Sequence, residues 1–309
     1  MRLLNYLENG TRRLGIQLGD EMFDPLMAGG DPAVFKDTVS FIHHGEAAIA
    51  AAQALAAGAP RKTLAEIQIL SPMIPSTILC SGSNYRAHNA EKANAPLSGQ
   101  EPEFFLKTGD CVIGPDEPII HDPVLTRKLD CETELAIVIG KPGRHIAVAD
   151  APEHIFGYTI VNDVTARDRQ VRCNAEGFTW YELGRGKAFD SSAPMGPVIV
   201  TADEFGDPQA AMLRTRINGE LRQQSSTSDM IWSCADLVHF FSVNFTLRPG
   251  MVILTGTPAG TAWSSDTDLG GNWHGQSGLV AATRYCEPGD LIESEIEGIG
   301  VLRNPVSAA

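Results

Sequence analysis

Positive charge is scarce in this 309-residue chain: 24 Lys and Arg stand against 38 Asp and Glu, a formal net charge of −14. Such a balance disfavours nucleic acid or an anionic membrane as partner. It leaves room for a small anion, because a cation or a local Lys/Arg cluster can reverse the field inside a pocket. No apolar run approaches the ~20 residues that span a bilayer. The opening "MRLLNYLENG" turns polar too soon for a signal peptide. The Ala-rich "EAAIAAAQALAAG" is too short and too weakly hydrophobic for a membrane, and reads as a soluble helix stopped at Gly58. The six cysteines, at 80, 111, 131, 173, 234 and 286, include no C-x-x-C pair. Neither a zinc site nor a disulfide framework is suggested; they read as reduced core residues of a cytoplasmic protein. Fixed-period repeats, low-complexity tracts and a Gly-rich phosphate fingerprint are also missing, as is the strand–helix alternation of a doubly wound sheet.

What is present is a succession of short strands and turns. Residues 1–72 read as a small leading α/β unit, in which β-like runs alternate with Asn-Gly and Gly-Asp turns before the Ala-rich helix. Pro and polar residues in "APRKT" and "SPMIPS" mark the passage into a larger unit, 73–309. There "ELAIVIG", "FGYTIVND", "APMGPVIVT", "GMVILTG" and "DLIESEIEGIGVL" are strand candidates. "RINGEL" carries the strongest short hairpin signal, Asn218-Gly219. Helical spacing appears in "MIWSCADLVHFFSVNFTL", at Ile231, Ala235, Leu237, Val238 and Phe241. The fold class expected is α+β, mostly β.

One strand candidate carries acids. In "DCETELAIVIG" the period of two puts Glu132 and Glu134 on one face with Ala136 and Val138. Leu135, Ile137 and Ile139 take the other. Two carboxylates about 7 Å apart, roughly twice the rise per residue, repel unless a cation lies between them. An exposed, charged strand end is the competing reading. "GYTIVNDVTARDRQ" adds Asp163 at the end of another strand, followed by a helical turn with a capping-box pattern at Thr165 and Asp168. Three carboxylates without His or Cys suit a hard cation: Mg²⁺ first, with Mn²⁺ or Ca²⁺ able to substitute.

Further along, "GSNYRAHNAE", "FLKTGDCVIGP", "DCETELAIVIGK", "GYTIVNDVTARDRQ", "GRGKAFDSSAPMGP", "INGELRQ", "PGMVILTGTPAG" and "PGDLIESEIEGIGVLRNPV" follow one another over residues 78–305. In that order they resemble the fumarylacetoacetate hydrolase family. The resemblance implies a mixed β-sandwich roll with a small N-terminal domain and a homodimer. It also implies a divalent metal on Glu132, Glu134 and Asp163.

The remaining chemical residues follow. His88 and Glu91 share a helix face, so the carboxylate can steer the imidazole toward taking a proton from water. In the family resembled they form a dyad on a segment that closes over the site. Arg167 and Gln170 are also three apart and face one side; with Tyr85 and Thr257 they are expected at the substrate, whereas Arg169 reads as solvated surface. Lys187 is expected to stabilise a developing enolate, and Lys107 to be a second cation of this kind or a structural one. Phe104, Phe105, Trp232 and Phe240 read as core. After "GTPAG" the chain departs from the family with a long insertion, 261–287, containing Trp263, Trp273 and His274. It is expected to cover the site, make a dimer contact or wander over the surface.

The expectation is a metal-dependent hydrolase that cleaves a carbon–carbon bond in a 2,4-dioxo acid such as an acylpyruvate. The alternatives are a decarboxylase of an oxaloacetate-like acid, or a hydratase, isomerase or lyase of a 2-oxo acid. A catalytically silent, metal-stabilised binding protein is the reading from another class.

Overall fold

The computed structural model describes residues 1–91, 100–176 and 178–309. The chain is mostly β, and none of its described helices is long and apolar enough to cross a membrane. Two sheets carry the fold. The larger has twelve strands, both parallel and antiparallel. At its centre lies Thr133–Ile139, flanked by Ile155–Asn162 and Val252–Leu254. The smaller runs Glu220–Ser226, Met212–Ile217, Leu291–Ile296, Gly300–Ala308 and Ile119–His121.

The central strand is buried along its whole length because both its faces are covered. Leu135, Ile137 and Ile139 pack toward the smaller sheet, against Leu213, Ile296 and Leu302. Ala136 and Val138 pack the opposite way, into a core shared with Leu3, Ile16, Phe23, Phe41 and Ala52 of the leading residues. Those residues extend the large sheet: Arg2–Glu8 pairs antiparallel with Ala193–Thr201.

The local signals act as their chemistry dictates. Asn218 and Gly219, with φ of 53° and 81°, form the two-residue turn joining Met212–Ile217 to Glu220–Ser226. The Ala-rich helix spans Thr38–Ala56, starts where Asp37 accepts the Ser40 amide, and changes direction at Gly45. The later helix is Cys234–Asn244, so Ile231 lies ahead of it. Ser233 and Asp236 close a reciprocal capping box there. The box expected at Thr165 and Asp168 does not form: Thr165 donates to the Asp163 carbonyl, and Asp168 accepts from Thr126 and the Arg127 amide. All six cysteines are free; five are buried, while Cys173 is exposed rather than core.

Candidate metal and proton-transfer site

Strand register builds the site. Thr133 pairs with Asn162, so the residues just outside the two strands, Glu132 and Asp163, face each other. The Asp163 amide donates to the Glu132 carbonyl at 2.8 Å, and the Glu132 amide donates to Asn162 Oδ1 at 2.9 Å. Glu134 sits one pair further in, opposite Val161. One carboxylate oxygen from each of Glu132, Glu134 and Asp163 lies within 4.8 Å of the other two, and all three residues are buried. The exposed-strand reading of the two glutamates is therefore excluded.

The three acids have different surroundings. Glu132 accepts from Arg167 Nη2 at 2.5 Å and Lys187 Nζ at 2.6 Å. Burial alone would raise its pKa, but the charges of Arg167 and Lys187 outweigh it and hold the carboxyl well below its usual range. Asp163 meets Lys187 at 2.6 Å and Lys107 at 2.9 Å. Among the described residues Glu134 has no cationic contact of this kind; its Oε2 accepts the Gly256 amide at 2.6 Å. Burial, then the charges of Asp163 and Glu132, push it well above the ordinary carboxylate range. A buried all-oxygen donor set with one under-compensated carboxylate fits a hard divalent cation.

Beside the triad lies the His88–Glu91 pair. Both are buried, and His88 Nδ1 lies 2.9 Å from Glu91 Oε2. The other Glu91 oxygen accepts the Gly260 amide at 2.9 Å. His88, the triad, Lys187, Arg167, Gln170, Thr257 and Trp263 all line one cleft. Gln170 accepts from Arg167 Nη1 at 2.8 Å. The Thr257 hydroxyl donates to the Thr133 carbonyl and accepts from Gln223, so a buried network orients it. The part of the dyad-bearing segment at 92–99 lies outside the described residues.

Other expectations shift. Lys107 lies behind the cleft wall: its ammonium is fully buried and bonds to the carbonyls of Val164, Lys187 and Ser192 as well as Asp163. Tyr85 is likewise sealed in the core, off the cleft wall. Phe105 is buried in the core as expected, and it also lines the cleft under Lys187, whose Nζ is 5.1 Å from the ring centroid. Phe104 is 40% exposed. Arg169 is half-buried and ties down the Val124 and Leu125 carbonyls. Tyr181, Glu103 and Ser83 also line the cleft. Ser83 alone carried a local signal, a polar residue inside "GSNY"; its φ is 56°.

The 261–287 insertion reaches the site through its first turn. Trp263 packs edge-on against His88, ring centroids 6.0 Å apart, and faces the Arg167 guanidinium at 5.7 Å.

Comparison with known proteins agrees. Residues 77–307 match the fumarylacetoacetate (FAA) hydrolase C-terminal family. The chain belongs to the fumarylacetoacetate hydrolase family, and it is an enzyme of that family. It is 36% identical over 278 residues to human "Oxaloacetate tautomerase FAHD2A, mitochondrial", covering 89% of this chain and 81% of the relative. It is 37% identical over 246 residues to "Oxaloacetate tautomerase YisK" of Bacillus subtilis, covering 79% and 74%. Among solved structures it resembles maleylpyruvate hydrolase from Sphingobium sp. SYK-6 in complex with manganese(II) and pyruvate. The TM-score is 0.77 and the identity 29%, with both chains fully covered.

Proposed function

We propose that this enzyme interconverts the keto and enol forms of a short 2-oxo dicarboxylic acid of the oxaloacetate type. The observation that carries the reading is the joining of a His–Glu proton carrier, three clustered carboxylates and a buried lysine in one cleft. The reaction needs a base near the carbon beside a carbonyl and positive charge near that carbonyl's oxygen. Sequence motifs alone favour hydrolysis. The two curated relatives, both oxaloacetate tautomerases, support proton transfer without bond cleavage.

Mg²⁺ or Mn²⁺ on Glu132, Glu134 and Asp163 would supply a Lewis acid for the 2-oxo acid's chelating oxygens. Glu91 fixes the His88 ring through Nδ1 and leaves Nε2 to carry a proton between the substrate's C3 and its 2-oxygen. Lys187, anchored between Glu132 and Asp163, places fixed positive charge where the enolate develops. Arg167 holds Glu132 in position and, with Gln170, forms the wall that orients the substrate.

Hydrolysis of a 2,4-dioxo acid is the second reading, supported by a dyad suited to activating water and by the likeness to maleylpyruvate hydrolase. Oxaloacetate, acetylpyruvate and fumarylpyruvate, each assayed with product identification, separate the readings. Tautomerisation changes the enol fraction and releases nothing, hydrolysis yields two acids, and decarboxylation yields carbon dioxide. Turnover of the acylpyruvates with oxaloacetate untouched would sink the first reading.

A further inference from the structure

We infer that Asp130 is a positioning residue for this reaction, acting through Trp263 to hold the His88–Glu91 pair beside the carboxylate triad. The inference rests on the reading of His88 as the proton carrier. Asp130 is 1% exposed and its two oxygens serve four donors. Oδ1 accepts the amides of Cys131 at 2.9 Å and Ala262 at 3.0 Å. Oδ2 accepts Arg167 Nε at 2.8 Å and the Trp263 amide at 3.0 Å.

The long-range bonds lead to two sides of the site. Through Arg167, Asp130 sets the guanidinium that binds Glu132. Through the amides of Ala262 and Trp263 it pins the first turn of the insertion, which puts the indole against His88. The same stretch of chain grips the Glu91 carboxylate and the backbone around it. Gly260 donates its amide to Glu91 Oε1, Asn272 donates its amide to the Glu91 carbonyl at 3.0 Å, and His274 Nε2 lies 3.1 Å from the Ala90 carbonyl. The helix that carries His88 is only Arg86–Ala90 and has no side-chain cap. One and a half turns cannot hold themselves in place, because a helix this short does not recover its nucleation cost. Residues 229–230 hold the start of the helix through Tyr85 and Arg86, and the 260–274 stretch, with Asp130 as its anchor, holds the end at Ala90 and Glu91.

The test uses full-length protein and two readouts. Amide hydrogen exchange, followed without substrate, should quicken at Gly260 and Asn272 in Trp263→Ala and in Asp130→Asn, while amides of Thr133–Ile139 keep their protection. In the oxaloacetate assay Trp263→Ala should lower kcat roughly tenfold with KM within about twofold, as expected for a misplaced proton carrier. Trp263→Phe should restore most of the rate. Trp263→Ala/His88→Ala should be no slower than His88→Ala alone, since the indole would act through His88. Losses that multiply in the double variant, or unchanged exchange at both amides, would overturn the inference. Where Asp130→Asn fails to fold, Trp263→Ala carries the test. Quickened exchange in a protein whose wild type leaves oxaloacetate untouched upholds the clamp and overturns only the tautomerase reading.

Discussion

Glu132 and Glu134 are two residues apart and both buried, yet they answer to different forces. Removing the Glu132 charge takes one of two carboxylate partners from each of Arg167 and Lys187, which keep Asp130 and Asp163. Glu132→Gln should therefore cost about 1.5–3 kcal/mol of stability, the range for hydrogen bonds to charged groups. Glu134 has one backbone donor in contact, Gly256. Glu134→Gln should change metal-free stability by no more than about 1 kcal/mol and still weaken Mn²⁺ binding more than roughly 100-fold. Thermal melts and titration calorimetry on the two variants check both statements. Asp290 offers a control away from the site. Bidentate bonds from Arg284 hold its carboxyl well below the usual range, against the opposing pull of burial. A depressed folded-state pKa means the stabilisation is complete above the unfolded carboxylate value and is lost as pH falls through the folded one. Asp290→Asn should cost about 1–2 kcal/mol at pH 7, allowing for the exposure of Arg284. Chemical-denaturation curves of variant and wild type should converge in strong acid.

At the scale of elements, a few tight places decide where catalytic groups stand. Gly260 has φ of 106°, and a Cβ there would fall 1.9 Å from the Arg222 carbonyl oxygen. Its amide holds Glu91, so a displaced backbone would move the dyad. Gly260→Ala should cut kcat at least roughly tenfold, because small misplacements of a reacting group are costly. Steady-state rates with a melting curve on the same sample would show it. Elements with strong local chemistry were legible in the sequence. Asn218-Gly219 specified its hairpin, and period two put Leu135, Ile137 and Ile139 on one face and Glu134 on the other. The contacts of Asp130, Lys107 and Tyr85 were not, because they depend on segments far apart in the chain. Two of the Asp130 amide donors, Ala262 and Trp263, lie beyond residue 260, and Lys107 is saturated by carbonyls from 164, 187 and 192. Thr165 and Asp168 had the spacing of a capping box but found other partners, Asp163 and Thr126.

For the molecule as a whole, the ordered motifs pointed to the family, and the fold follows it because the motif strands pair with one another: Thr133–Ile139 with Ile155–Asn162 and with Val252–Leu254. The leading residues are bound into the same sheet and share a core with Ile78, Ala136, Val138 and Ile199. A fragment beginning at residue 73 would expose that apolar surface, so it should aggregate rather than fold, which gel filtration and circular dichroism would report. The central claim is that the triad and the dyad together move a proton on an oxaloacetate-like acid. The most direct measurement follows the decay of enol oxaloacetate by ultraviolet absorbance for wild type, His88→Ala and Glu134→Gln, with Mn²⁺ and with chelator. We predict rapid enol decay only in metal-loaded wild type, no release of a smaller acid or carbon dioxide, and loss of at least roughly 100-fold in each variant. Wild-type decay no faster than buffer, or full activity in either variant, would contradict the account.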